Sequence, residues 1–77
     1  MSATLYQLIK AAGIACAAHE SDLYIPDNEA TRAILSGFPL QQKNASRFTN
    51  EAEPHKGERW IDVPFAYDPF WHARGMK

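Results

Sequence analysis

The sequence predicts a small α+β fold, in which a small antiparallel sheet of two hairpins has helices packed on one face. Three observations predict it: segments with apolar residues at helical spacing, short segments of strand composition, and polar or proline-containing turns between them. These segments follow one another in the order α-β-β-α-β-β-α. With 77 residues, the chain is expected to form a single domain over residues 1–77, near the lower size limit for independent folding.

The first helix is predicted over residues 4–12, because apolar side chains recur there at positions i, i+3, i+4 and i+7. Gly13 stands where a helix stop belongs. An apolar stretch, a polar turn and a second apolar stretch then predict a hairpin over residues 14–25. Its covered face would hold Ile14, Cys16, Leu23 and Ile25. The alanines of the first stretch leave an alternative open, in which the helix continues to Ala18.

The second helix is predicted over residues 28–36, with Asp27 as its cap. Its buried stripe is predicted to consist of Ala30, Ala33 and Ile34, with Gly37 and Phe38 as an optional extension. Gly37 fits a left-handed C-cap that is followed by a hydrophobic contact from Phe38.

The second hairpin is predicted after a polar connector over residues 40–45. Residues 46–49 form its first strand, residues 50–57 its loop, and residues 58–65 the strand with the strongest alternation. Alternation places Ile61, Val63 and Phe65 on one face and Trp60, Asp62 and Pro64 on the other. A last short helix is predicted from Asp68 to Gly75, since Asp-Pro is a common helix start.

Charge and cysteine usage exclude several classes of protein. The net charge is −1, so bulk charge gives no reason to expect nucleic-acid binding. The single cysteine, Cys16, rules out an intrachain disulfide, and no Cys/His spacing indicates structural zinc. No apolar run reaches membrane-spanning length and residues 1–12 do not resemble a signal peptide, so a cytoplasmic location is expected.

No motif in the chain specifies a reaction, so we expect no enzyme, no cofactor and no metal. Cys16 and His19 are the residue types of a thiol nucleophile and its base. Three positions apart on a strand and turn, however, their side chains need not meet. A buried structural cysteine is the simpler interpretation.

The C-terminal segment concentrates aromatic residues, with five of them between positions 60 and 71. A two-layer domain covers only one face of a strand, so some of these rings are expected to be exposed. Trp, Tyr and Arg dominate the energetic anchors of protein interfaces. The sequence therefore predicts a protein-binding surface and an excess of apolar surface that would also suit a homodimer. Its candidate residues are Trp60, Asp62, Tyr67, Trp71 and Arg74.

An alternative is a nucleic-acid-binding surface on the second hairpin. Lys43, Arg47, Lys56 and Arg59 fall on this hairpin and its approach, with Trp60 beside Arg59. Basic and aromatic side chains on one sheet face can bind single strands. Neighbouring glutamates favour the simpler interpretation of a solvated hairpin of mixed charge. A protein that sequesters a nucleotide signal is a second alternative, supported by arginines and aromatics but by no phosphate loop.

Two stretches, residues 19–24 (HESDLY) and 60–71 (WIDVPFAYDPFW), resemble those of short, uncharacterised proteins encoded by tailed phages and prophages. Such proteins have no assigned chemistry, so the resemblance implies no catalytic or ligand residue. It implies a setting in a bacterial host cell, where small phage accessory proteins often bind a host component. Inhibitors of bacterial defence systems, such as anti-CRISPR proteins, act in this way.

Overall fold

A computed structural model describes residues 3–64 and 66, and these residues form an α+β fold with one four-stranded antiparallel sheet. This confirms the predicted fold class. The elements in chain order are α1 Leu5–Ala11, β1 Ala17–His19, β2 Asp22–Pro26, α2 Glu29–Leu35, α3 Pro39–Asn44, β3 Ser46–Thr49 and β4 Arg59–Val63. The helix predicted from Asp68 to Gly75 lies outside the described residues.

The two predicted hairpins form and join into one sheet with strand order β1-β2-β4-β3. The join is the antiparallel pair β2–β4, in which Leu23 lies opposite Val63 and Ile25 opposite Ile61. Directly opposed residues of antiparallel strands share a face. The apolar residues of both hairpins therefore come together on one side of the sheet.

Helix α1 ends where the glycine predicts. Thr4 caps its start in a reciprocal capping box with Gln7: the Gln7 amide donates to Thr4 Oγ1 (3.2 Å), and the Thr4 amide donates to Gln7 Oε1 (2.8 Å). Gly13 follows the helix at φ 74°, so α1 does not continue to Ala18.

Strand β1 begins later than predicted, at Ala17 instead of residue 14. His19 pairs with Asp22, so only two residues reverse the chain. Glu20, the first of these two, takes φ 56°, a left-handed conformation that is uncommon outside glycine. Pairing extends back from the turn only as far as Ala17 opposite Tyr24.

Helix α2 forms as predicted, but its cap is shifted by one residue and its buried stripe is only partly as predicted. Asn28 Oδ1, and not Asp27, accepts the Thr31 amide (2.8 Å). The predicted Ala30 and Ala33 are exposed. The inward stripe contains the predicted Ile34 and Phe38 together with Thr31 and Leu35, and these four residues have the required i, i+3, i+4, i+7 spacing. The prediction for Ala30 and Ala33 is wrong because hydrophobicity alone favours alanine over threonine at a core position.

Two predictions between α2 and β3 are wrong. Gly37 does not adopt a positive φ, so it provides no left-handed cap. The predicted polar connector forms helix α3, with Pro39 at its first position. No α3 residue is buried, and Leu40 is 72% exposed. Sequence periodicity could not reveal this helix, because it has no apolar stripe.

The core lies between the sheet and helices α1 and α2. It consists of Leu5, Ile9, Leu23, Ile25, Leu35, Ile61 and Val63. Each aliphatic side chain of this kind contributes about 1.5–3 kcal/mol when fully buried. Ile14 and Cys16, predicted for the covered face, are half-buried and pack against the core. Phe65, predicted for the same face, lies outside the described residues.

Within residues 3–64, the longest helices have seven residues. No described helix is long and apolar enough to cross a membrane.

Candidate functional site

The sheet face opposite α1 and α2 carries a pocket of about 510 Å³, which we call the open-face pocket. This volume falls in the range of about 300–1,000 Å³ that is common for ligand sites. Its described lining residues are Ala17, Tyr24, Ser46, Phe48, Asn50, His55, Trp60 and Asp62. They come from all four strands and from the loop between β3 and β4.

Strand register brings the aromatic walls together. Phe48 lies opposite Trp60, and Tyr24 lies opposite Asp62, so all four side chains share the open face. The Tyr24 and Phe48 rings meet edge to face, with centroids 5.7 Å apart and planes at 73°. This arrangement is favourable for aromatic pairs. The pocket walls are thus held by ring contacts across the sheet.

The loop between β3 and β4 folds back over Trp60. The Asn50 amide donates to the Glu58 carbonyl (2.8 Å), and the Gly57 amide donates to the Asn50 carbonyl (2.7 Å). Gly57 permits this closure through a φ of 89°. The His55 ring then lies 4.9 Å from the Trp60 ring, centroid to centroid. The loop therefore forms one wall of the pocket.

Glu58 holds the β3–β4 loop against Trp60 through contacts with two side chains. Its Oε1 accepts a hydrogen bond from Trp60 Nε1 (3.1 Å) and lies 3.1 Å from His55 Nδ1. The Trp60 hydrogen bond, together with the nearby His55, holds the Glu58 pKa below its usual value. Trp60 is consequently only 3% exposed. Strand parity placed Trp60 on the correct face, but the prediction that it is an exposed anchor is wrong.

Asp62 provides the acidic part of the pocket. Its Oδ1 is buried and has no hydrogen-bond partner among the described residues. Burial raises the Asp62 pKa, and the neighbouring Asp22 carboxyl raises it further. Burial also raises the Tyr24 pKa, with additional effects from Asp62, Asp22 and Glu20. A side-chain hydrogen bond with Asp22 is one of the causes of the raised Asp62 pKa, so this end of the pocket holds two adjacent carboxyl groups.

The predicted protein-binding residues are only partly located by the structure. Trp60 and Asp62 lie together in the open-face pocket. Tyr67, Trp71 and Arg74 lie outside the described residues.

Tyr24, Phe48 and His55 line the pocket but were not among the site residues that the sequence predicted. Alternation with Leu23 and Ile25 indicates which face Tyr24 occupies, and pairing with β4 does the same for Phe48. No sequence signal indicates that His55 packs on Trp60, because this contact depends on the path of the loop.

The predicted basic strip does not form beside Trp60. Arg47 lies opposite Ile61, and Arg59 is two residues from Ile61 on the same strand, so both share the core-side face. Trp60 lies on the other face. Lys43 belongs to α3 and Lys56 to the β3–β4 loop, so the four cations do not line a common surface with the ring.

Arg47 instead belongs to an ion-pair cluster at the start of α2. Arg32 Nη1 lies 2.8 Å from Asp27 Oδ1, and Arg47 Nε lies 3.2 Å from Asp27 Oδ2. The Arg32 hydrogen bond is the largest cause of the lowered Asp27 pKa, and the Arg47 charge adds to it. Asp27, predicted as a helix cap, thus links β3 to α2.

The described residues contain no group of three or more His, Cys, Asp and Glu side chains that could hold a metal ion. Burial raises the pKa of the half-buried Cys16 thiol, which favours its protonated form. A protonated thiol is a weak nucleophile.

Comparisons with protein-family models, with curated proteins and with solved structures found no match to this chain.

Proposed function

We propose that this protein is a non-enzymatic binding protein that engages a macromolecular partner through the open face of its sheet. The observation that carries the proposal is the open-face pocket, a concavity with three aromatic walls on the side away from α1 and α2. Two of these rings, Tyr24 and Phe48, are partly exposed. Exposed aromatic rings supply large contact area at low entropic cost, which is characteristic of interface anchors.

The composition of the open face also supports a binding role. The described core consists of aliphatic residues on the other face, whereas Tyr24 and Phe48 are only half-buried. Asp62 lines the same pocket, and its Oδ1 has no hydrogen-bond partner among the described residues. A buried unpaired carboxylate oxygen is unfavourable for folding, and such features are typical of functional sites.

A host protein of a bacterial cell is the partner class that the phage resemblance suggests, and inhibition of a defence system is one outcome of such binding. Both belong to this proposal. The nucleic-acid alternative receives no support from the geometry, because Arg47 and Arg59 face away from Trp60. That alternative predicts binding to single-stranded nucleic acid with an affinity that falls steeply as salt is added.

Affinity capture from host lysate tests the proposal. Phe48→Ala removes a half-buried pocket wall without disturbing the aliphatic core. Leu40→Ala is the matched control, because it removes a 72% exposed apolar side chain from α3, outside the pocket lining. We expect Phe48→Ala to lose a partner that wild type and Leu40→Ala both retain.

Folding of each variant is verified by its amide NMR spectrum. A captured set that is identical for Phe48→Ala, Leu40→Ala and wild type would contradict the proposed surface. Loss of the captured partner with Leu40→Ala alone would contradict the proposed surface and indicate that the partner binds at α3.

A further inference from the structure

We propose that the open-face pocket binds an arginine side chain presented by a partner protein. The inference rests on the proposed binding function and specifies the chemistry of the partner. It combines three observations: aromatic walls, a pocket-lining carboxylate with no Lys or Arg among the described lining residues, and acidic residues in the two turns that adjoin the pocket.

The aromatic walls favour a cation of low hydration. Tyr24, Phe48 and Trp60 present ring surface to one cavity. A ring face carries partial negative charge and attracts a cation placed within about 6 Å of its centroid. A guanidinium group is planar, stacks on rings and is more weakly hydrated than an ammonium group, so arginine suits these walls better than lysine does.

The carboxylate completes the recognition. Asp62 Oδ1 is buried and has no hydrogen-bond partner among the described residues, and Asp22 lies beside the same carboxyl group. None of the described pocket-lining residues is Lys or Arg, so none supplies a permanent cation. A guanidinium group in the pocket would pair with the half-buried Asp62 carboxylate that lines it, and would relieve the repulsion between the two carboxyl groups.

The surroundings of the pocket favour a protein as the source of that arginine. Glu20 and Asp22 lie near the pocket residue Tyr24. The β3–β4 loop, which contributes Asn50 and His55 to the lining, carries Glu51, Glu53 and Glu58 in its sequence against one lysine, Lys56. Acidic edges around an apolar centre match a basic protein surface with one central anchor. A free metabolite would contact only the cavity itself.

Titration with a single-arginine peptide tests the inference. The probe is a blocked pentapeptide with one arginine among glycines, and its control has citrulline, which is neutral and nearly isosteric. The signal is the Trp60 indole Nε1–H resonance, assigned with Trp71→Phe. We expect a saturable shift with a Kd of about 1 mM, and at least roughly ten-fold weaker binding of the citrulline peptide.

Two variants locate the site. Asp62→Asn is expected to weaken arginine-peptide binding roughly ten-fold, because it keeps the side-chain shape and removes the charge. Glu29→Gln is the control, since it removes one exposed carboxylate from α2, on the other side of the sheet, and is expected to change nothing. Equal binding of the citrulline peptide, or unchanged binding by Asp62→Asn, would overturn the inference.

Other sources of the cation give distinct results. Trp60 shifts that depend on protein concentration without peptide would assign the pocket to a second copy of this chain. Tighter peptide binding by a variant with Arg74→Ala and Lys77→Ala would assign it to this chain's own cations. Either result contradicts a partner arginine. If partner capture depends on Phe48 but the arginine peptide does not bind, the inference fails while the proposed binding function stands.

Discussion

The two faces of the sheet carry different chemistry on the same two central strands. On β2 and β4, Leu23, Ile25, Ile61 and Val63 point to the helices and are fully buried. Tyr24 and Asp62, which alternate with them, point to the other side and line a cavity. One face consists only of packed aliphatic side chains, whereas the other combines aromatic rings with a carboxylate. The first face is suited to holding the fold together, and the second to recognition.

The largest expected effect separates the two faces by stability. Ile61→Ala leaves a cavity in the aliphatic core and should lower the free energy of unfolding by about 2–5 kcal/mol. Phe48→Ala, at a half-buried position on the edge strand β3, should cost only about 1 kcal/mol. Urea titrations monitored by circular dichroism measure both values. A loss for Phe48→Ala as large as that for Ile61→Ala would mean that the open face is a second core.

Each side of the domain also contains one buried oxygen without a hydrogen-bond partner among the described residues. On the covered side it is Thr31 Oγ1, whose residue is fully buried on α2, and on the open side it is Asp62 Oδ1. An unsatisfied buried polar group costs about 1–3 kcal/mol. The hydroxyl is neutral and belongs to the packed interior, whereas the carboxylate borders a cavity that a ligand can enter.

Thr31→Val tests the covered side of this pair. The substitution keeps the branched shape and removes the hydroxyl, so we expect a gain in unfolding free energy of up to about 1 kcal/mol. Thr31→Ser is the control, because it keeps the hydroxyl and removes the methyl group, and it should be less stable than wild type. Thermal unfolding measures both. A lower melting temperature for Thr31→Val would show that the hydroxyl has a partner in solution.

The sequence predicts the covered face better than the open face, for a physical reason. Alternation on β4 follows from backbone geometry and assigned Ile61 and Val63 to the core. Helical spacing on α1 found Leu5 and Ile9 but also selected Leu8 and Ala12, which are exposed. Parity also placed Trp60 and Asp62 together. The burial of Trp60 could not be predicted, because it depends on a loop path that Glu58 fixes.

Helix α2 shows a second limit of sequence reading. Ile34 and Phe38 were predicted for its stripe, but Ala30 and Ala33 were predicted where Thr31 and Leu35 are buried, because hydrophobicity alone favours alanine over threonine. Helix α3 shows a third, since a helix without an apolar face has no periodic signal. The Asp27 cluster depends on contacts between residues far apart in the chain, which local patterns do not contain.

The smallest expected effects concern two aspartates with opposite pKa shifts. Arg32 and Arg47 lower the Asp27 pKa from its ordinary value of 3.8, so the folded state favours the charged form. The Asp27 contribution is therefore present above pH 3.8 and is lost as the pH falls through the lowered pKa. For such a partly exposed ion pair we expect up to about 1 kcal/mol. Asp27→Asn should thus reduce stability at pH 7 and have progressively less effect in acid.

Asp62 should show the reverse dependence. Burial and Asp22 raise its pKa above 3.8, so the folded state favours the protonated form. The associated stability is fully present at low pH and is lost as the pH rises from 3.8 through the raised pKa. Asp62→Asn should therefore be neutral or stabilising at pH 7, with an advantage over wild type that shrinks in acid. Melting temperatures of wild type and both variants between pH 3 and pH 7 measure the two trends. Parallel trends for the two variants would contradict the distinction between a paired carboxylate that stabilises the fold and an unpaired one available to a ligand.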